Sequence, residues 1–177
     1  LLKSNQKYIL YVGSGYKRKG VEEFLEIISR LNSQEIKAFI IGKDKKLEHY
    51  KRFAKNLGIE HKVIFTGPRE DVDDFYSISD IFLFPTHYEP FANVILEAML
   101  FKNVIFTTKQ NGACEILDNQ FIMENPSDFS VVNKIDELLN NTKKLREIQK
   151  NNRTQAKEFS IEKNLEHTLE IIDEVIN

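Results

Sequence analysis

Short apolar runs punctuate the first two thirds of the chain: KYILYV, IKAFII, KVIF, IFLF, VIFTT and QFIM. Each is rich in β-branched or aromatic residues and too short for a buried helix, so each predicts a strand. Between them, apolar positions recur at helical spacing. In VEEFLEIISRL the side chains of Val21, Phe24, Leu25, Ile28 and Leu31 share one face. LEHYKRFAKNL predicts a second helix, and Gly58 just beyond it fits a left-handed cap. VDDFYSI, opened by Asp71, and ANVILEAMLF, which carries Glu97, supply the next two. Such alternation implies a parallel sheet with helices on both faces and right-handed crossovers, an α/β, Rossmann-like fold. Beyond Pro126 the pattern is purely helical, with SDFSVVNKIDELL, TKKLREIQKNNRTQAKEF and IEKNLEHTLEIIDEVI.

In open α/β sheets ligands bind at the carboxyl ends of the strands, so the residues after each strand are informative. They are Gly13-Ser14-Gly15 with Lys17, Arg18 and Lys19, then Gly42-Lys43-Asp44, Gly67-Pro68-Arg69, residues 85–90, and residues 109–112 ending in Gly112. Glycines and polar groups thus collect along one edge, where backbone can approach a ligand, and one ligand spanning several loops is the economical reading. The first loop, YVGSGYKRKG, offers glycines, cations and a helix start together, which is what a phosphate requires. A GxGxxG motif from Gly13 fails at Arg18, no Gly-Lys-Ser/Thr follows Gly15, and FIIGKD lacks an acid at the strand end for a dinucleotide ribose. The alternative is a plain turn with solubilising lysines.

Glu89 and Glu97 lie eight positions apart across a strand-to-helix turn. The helix around Glu97 is apolar nearly all round, which predicts burial and a carboxylate in need of partners. Vicinal hydroxyls of a ribose would serve, as would a distant lysine. The N–H groups near Phe91, Ala92 and Asn93 would face the same ligand from the helix start, where a diphosphate is favoured.

Composition refines this picture. The chain has 177 residues, 41% hydrophobic and 29% charged, with a net charge of -2 and a pI near 6.1. One domain is expected, and bulk nucleic-acid binding is not. The lone Cys114 excludes an internal disulfide and reads as a buried structural thiol in a reducing compartment. No stretch is long enough to span a membrane and the first residues do not resemble a signal peptide, so the expected location is cytoplasmic. Asp71 and Asp73 spell DxD, but capping and the helix dipole already explain acids there, and no metal site is expected. His49, His61, His87 and His167 show no ligand spacing, and only His87 falls near the proposed pocket. The charges of TKKLREIQKNNR read as a solvated face, which leaves peripheral contact with anionic lipid open.

The run PTHYEPFANVILEAM, followed by VIFTTKQNGACEIL, resembles the E-x7-E signature and Gly-Gly-x-x-Glu segment of the family-four retaining glycosyltransferases, of group 1 type. YVGSGYKRKGVEEFL and FTGPREDVDDFYSISDIFLFP are similar to the same C-terminal donor-binding domain in order and spacing, most of all that of lipopolysaccharide-core glucosyltransferases. The resemblance implies the C-terminal half of a GT-B type enzyme. Residues 1–177 would bind the sugar nucleotide, and the helix over 160–177 would return toward an N-terminal acceptor domain, bearing a catalytic histidine, that this sequence lacks. Lys19 and Arg18 would neutralise the diphosphate and Glu97 would take the ribose hydroxyls. Glu89 would hold the transferred sugar and support charge at its anomeric centre. Gly67, Pro68 and Arg69 would contact the base, while Gly13, Ser14, Gly15, Phe91, Ala92 and Asn93 would line the donor.

The implied reaction moves a hexose from a UDP-type donor to a glycan or lipid-linked acceptor of lipopolysaccharide or capsule, without cofactor or metal, and the fragment alone would be inactive. The full enzyme would sit in the cytoplasm or at the inner face of the plasma membrane. A sugar-nucleotide epimerase of the same architecture and a non-catalytic nucleotide-binding module are the alternatives. Several positions depart from the family pattern. Ser14 stands where many relatives carry arginine, Pro90, Ala92 and Ala113 replace glycines, and Lys102-Asn103 replaces a glycine that often ends the helix. Side-chain atoms at 90, 92 and 113 are expected to narrow the sugar pocket.

Overall fold

In the computed structural model, which describes residues 6–33, 35–159 and isolated positions between 163 and 173, strands and helices alternate along the chain. They are β1 (Lys7–Val12), α1 (Val21–Arg30), β2 (Ile36–Ile41), α2 (Leu47–Asn56), β3 (Val63–Gly67), α3 (Val72–Ile78), β4 (Ile81–Phe84), α4 (Asn93–Leu100), β5 (Val104–Thr108) and β6 (Ile122–Met123). Two helices follow, α5 (Val131–Asn140) and α6 (Thr142–Ala156). Of the helix expected over 160–177, the described positions, Lys163, Leu165, Thr168, Leu169, Ile171, Ile172 and Asp173, are helical, and the other positions lie outside the described residues. Among those residues no helix is long and apolar enough to cross a membrane.

The sheet runs β3-β2-β1-β4-β5-β6, with every neighbouring pair parallel. The chain therefore builds outward from β1 to β3, then returns past β1 to build the other half. This reversal opens a crevice between the carboxyl ends of β1 and β4, the place where such sheets hold ligands. Central strands read as unbroken apolar runs because both their faces are covered: Ile81, Phe82, Leu83 and Phe84 are all fully buried. β3 lies at the edge and exposes Ile64. Val21, Phe24, Leu25, Ile28 and Leu31 are buried together, as their spacing predicts.

Helix ends follow local chemistry. Gly58 takes φ 70, while the N–H groups of Gly58 and Ile59 donate to the carbonyls of Lys55 and Ala54 at 2.9 and 3.0 Å. That pairing is a Schellman cap. The same bonds end α4, with Lys102 donating to Met99 at 3.0 Å and Asn103 to Ala98 at 2.9 Å. Here a lysine occupies the left-handed position, φ 68. The buried Asn103 amide then donates to the carbonyls of Tyr76 and Ser79 at 2.8 and 2.9 Å, joining the ends of α3 and α4.

Three expectations change. α5 begins at Val131 rather than near Ser127, because the Asp128 carboxylate accepts from the Ser130 N–H and hydroxyl and holds a turn there. The run QFIM is largely a 3-10 turn over Asn119–Phe121, which leaves only Ile122–Met123 in the sheet. Cys114 is half-buried rather than enclosed.

An L-residue in the left-handed region is strained by about 1–2 kcal/mol, partly offset by the lower unfolded-state entropy that a side chain brings. Lys102→Gly is therefore expected to stabilise the domain by about 0.5–1 kcal/mol and raise Tm by about 1–4 °C in a thermal melt. An unchanged or lowered Tm would show that the cap is relaxed with lysine.

Candidate functional site

The loops after β1 and β4 meet at the sheet's crevice and hold each other by reciprocal bonds. The Arg18 carbonyl accepts from the His87 N–H at 2.9 Å and the Thr86 hydroxyl at 3.2 Å. In return Arg18 Nη1 donates to the Tyr88 carbonyl at 2.6 Å and to Glu89 Oε2 at 3.2 Å. Lys19 Nζ reaches the same carboxylate oxygen at 3.4 Å and lies 5.4 Å from the centre of the Phe84 ring. Glu89 thus holds two cations with its side chain only 15% exposed, against 17% for Lys19 and 50% for Arg18. His87 Nε2 also meets Glu23 Oε1 at 2.9 Å, tying the β4 loop to α1.

Glycines allow this proximity, though several face other loops rather than open space. A Cβ on Gly20 would stand 1.7 Å from the Pro85 carbonyl oxygen, one on Gly42 would stand 2.1 Å from that of Gly13, and one on Gly112 would stand 1.9 Å from that of Pro90. At Gly13 the clash would be with Lys19 Cδ at 2.8 Å, so the missing side chain is what lets Lys19 fold back over the strand end. Gly15 and Gly67, both at positive φ, have open space where a Cβ would lie. Expecting glycine at this edge to mean ligand approach is therefore too broad, since three of these positions serve loop-to-loop packing.

The β5 loop completes the frame. The buried Thr107 and Thr108 hydroxyls donate to the carbonyls of Phe84 and Thr86 at 2.9 and 2.7 Å. Glu89 bridges to Asn111 as a short parallel pair, with Glu89 N–H donating to Gln110 at 3.0 Å and Gly112 N–H donating to Glu89 at 3.0 Å. Behind the first loop, the Asp44 carboxylate accepts from the N–H groups of Tyr16 and Lys46 at 2.8 and 2.7 Å. The Ser14 hydroxyl accepts from the Lys43 N–H at 3.1 Å. Asp44, Thr86, Thr107, Thr108 and Asn111 were not singled out from sequence, although paired threonines inside an apolar strand are a readable signal.

Glu97 departs from expectation. α4 buries Ile95, Ala98 and Met99 but leaves Glu97 and Leu100 exposed, so the carboxylate is not enclosed and needs no cation. Its partner is Tyr76 on α3, whose hydroxyl donates to Glu97 Oε2 at 2.9 Å. Burial first, then the Glu97 charge and hydrogen bond, raise the Tyr76 hydroxyl pKa far above its ordinary value and keep it a donor. Ala92 caps α4 without any side-chain bond, and no acceptor among the described residues meets the N–H groups of Ala92, Asn93 or Val94. Phe91 is exposed beside them. Ala92 and Ala113 are both buried, so their methyl groups pack inside the domain and do not narrow an open pocket.

The turn holding Gly67, Pro68 and Arg69 lies past the edge strand, two strand spacings or about 10 Å from β1. Arg69 makes a two-bond contact with Asp71 at 2.7 and 2.5 Å and lies 5.6 Å from the Phe75 ring centre. That contact lowers the pKa of the Asp71 carboxyl. Asp71 precedes α3 without capping it by its side chain, a correction to the expected capping role.

A parallel sheet with this strand order, covered by helices and opening its crevice onto paired cations and a carboxylate, is the Rossmann-like domain of GT-B glycosyltransferases. The family model described as glycosyl transferases group 1 matches residues 1–155, and the chain belongs to that family. It is 31% identical over 114 residues to the lipopolysaccharide glucosyltransferase WaaG of Escherichia coli, a match covering 63% of this chain and 30% of WaaG. It is 29% identical over 146 residues to the capsular polysaccharide biosynthesis glycosyltransferase CapM of Staphylococcus aureus, covering 77% of this chain and 38% of CapM. A crystal structure of WaaG superposes with a TM-score of 0.80 at 25% identity over 88% of this chain and 44% of that one. HepE from Anabaena, solved in complex with UDP and glucose, shares the fold with a TM-score of 0.85 at 20% identity, covering 97% of this chain and 49% of HepE. The chain thus spans about a third to a half of the length of these relatives.

Gly20 and Gly15 separate packing from open space, since both have positive φ but only Gly20 faces backbone. Gly20→Ala is expected to lose about 2–5 kcal/mol in urea unfolding, from strain plus overpacking, and Gly15→Ala about 1–2 kcal/mol from strain alone. Equal losses would mean that the Pro85 contact yields freely.

Proposed function

We propose that the chain is the donor-binding half of a retaining glycosyltransferase that moves a hexose from a UDP-linked sugar to a surface glycan such as lipopolysaccharide or capsule. The observation that carries this reading is the convergence of Arg18 and Lys19 on Glu89 at the β1/β4 crevice. The named activities of WaaG and CapM, and the UDP complex of HepE, support the choice of donor and product class.

In this reading the diphosphate lies between the two cations and the start of α4, where the N–H groups of Ala92, Asn93 and Val94 have no acceptor among the described residues. Positive charge held there stabilises the leaving nucleotide as the glycosidic bond breaks, the task that a divalent metal performs in other enzymes. Glu97 takes the ribose hydroxyls, with the Tyr76 hydroxyl fixing one carboxylate oxygen and leaving the other for the ligand. Glu89 contacts the transferred sugar and supports charge at its anomeric carbon. The turn at Gly67 and Arg69 reaches the base, since two strand spacings suit the length of a nucleoside. In this reading the acceptor groove and a catalytic histidine belong to the other half of a two-domain enzyme that works at the cytoplasmic side of the membrane. The chain alone therefore binds donor and transfers nothing.

Calorimetry with UDP and with uridine tests the site. Replacing Arg18 and Lys19 together by alanine removes two charge-assisted contacts worth about 1.5–3 kcal/mol each, so UDP affinity is expected to fall by roughly two or more orders of magnitude. Uridine affinity is expected to hold. Adding Glu89→Gln to this pair removes the carboxylate left without partners and controls for misfolding. UDP binding unchanged by the double substitution would sink the reading.

The two glutamates separate in the same assay. Glu97→Ala is expected to weaken UDP itself. Glu89→Ala releases both cations from their internal counter-ion, so UDP binding is expected to persist or tighten while the increment from the attached sugar disappears. A matching loss of UDP binding in both variants would show the roles to be misassigned.

A further inference from the structure

We propose that Tyr11 is a positioning residue for Lys19, its buried hydroxyl supplying the lone pair that takes the ammonium when a donor diphosphate draws it from Glu89. The inference rests on the diphosphate reading above. Tyr11 is fully buried, and its hydroxyl has no hydrogen-bond partner among the described residues. An unmade bond in the interior is destabilising, and phenylalanine would avoid it. The aromatic nest of Tyr16, Phe24 and Phe84, with ring centres at 6.1, 5.7 and 5.6 Å, accounts for the ring and not for the oxygen. Two other buried tyrosines are served: the Tyr16 hydroxyl donates to the Gly42 carbonyl at 2.9 Å, and that of Tyr76 donates to Glu97 at 2.9 Å.

Place explains the exception. A Cβ on Gly13 would stand 3.4 Å from the Tyr11 hydroxyl oxygen and 3.4 Å from Lys19 Nζ, so both groups border the notch that glycine leaves open. Lys19 meets Glu89 at a long 3.4 Å, and an ammonium carries three donors. In the proposed arrangement the lysine stem turns within this notch so that one donor meets Tyr11 while another faces a phosphate oxygen. The hydroxyl stays neutral, because burial first and then Tyr16 and Tyr50 raise its pKa well above the ordinary value. It therefore meets the ammonium as an acceptor.

The test is UDP calorimetry on the chain with Tyr11→Phe, Lys19→Ala and both. Tyr11→Phe is expected to keep or raise Tm, leave uridine binding unchanged and weaken UDP by about tenfold, the scale of a hydrogen bond to a charged group. In the Lys19→Ala background the same substitution is expected to leave UDP affinity within about twofold, because the group it positions is gone. Equal losses in both backgrounds, or a lowered Tm with uridine weakened in step, would assign Tyr11 to packing and overturn the proposal. UDP held equally well by Tyr11→Phe while Lys19→Ala binds it poorly would overturn the Tyr11 role and leave the donor site standing. A parent chain that fails to bind UDP overturns both.

Discussion

Contact between bare backbones at Gly20, Gly42 and Gly112 is the constraint on which the site depends. Each glycine lets one loop lie directly on the carbonyl of another, so the loops after β1, β2, β4 and β5 form one ridge. Backbone on backbone has no rotamers to adjust, and a methyl at any of the three would force the loops apart. Hydroxyls from Thr107 and Thr108 then bind the carbonyls of Phe84 and Thr86, which fixes the end of β4. Cations and carboxylate inherit their placement from this ridge. A site assembled from distant parts of the chain is in this way held before any ligand arrives, which is what electrostatic stabilisation of a leaving group requires.

Within the ridge the two cations differ in freedom. Lys19 is mostly covered, its stem folded over Gly13 and its ammonium near the Phe84 ring. Arg18 is half exposed, yet its guanidinium is anchored by the Tyr88 carbonyl and its own carbonyl is held from the β4 loop. Glu89 bridges both and limits the repulsion that would otherwise spread them, leaving the cluster with a net positive charge. The same carboxylate also opposes an incoming anion, so its removal and the removal of the cations act in opposite directions on a bare diphosphate. On the proposed reading a transferred sugar would, by contrast, meet Glu89 as an acceptor for its hydroxyls.

Much of the architecture was legible because parallel strands covered on both faces must be short apolar runs, and those runs were unambiguous from KYILYV to VIFTT. That the cation loop and Glu89 would fall along one edge was also readable, since both follow parallel strands at their carboxyl ends. Strand order was not, because nothing in the sequence records that β4 returns past β1. The purpose of each glycine was hidden too, as a residue without a side chain looks the same whether a ligand or a neighbouring loop lies against it. Gly20 and Gly15 are alike in sequence and in φ, and only the position of Pro85 tells them apart. Short elements such as Ile122–Met123 are decided by one or two bonds, below what periodicity can resolve.

α4 shows why composition misleads about burial. A helix reading NVILEAML is apolar on most sides, yet burial depends on what lies against each face, and Glu97 and Leu100 are left exposed. The argument that a buried carboxylate demands a ligand therefore falls away for Glu97. What replaces it is more favourable to reversible binding. An exposed carboxylate stays in contact with solvent, so it does not need a permanent counter-ion. Tyr76, held protonated by burial and by the carboxylate itself, fixes one oxygen without neutralising the charge. On the proposed reading, the acceptor capacity that Tyr76 leaves is what a vicinal diol would take, in the orientation that the single bonded oxygen has already set.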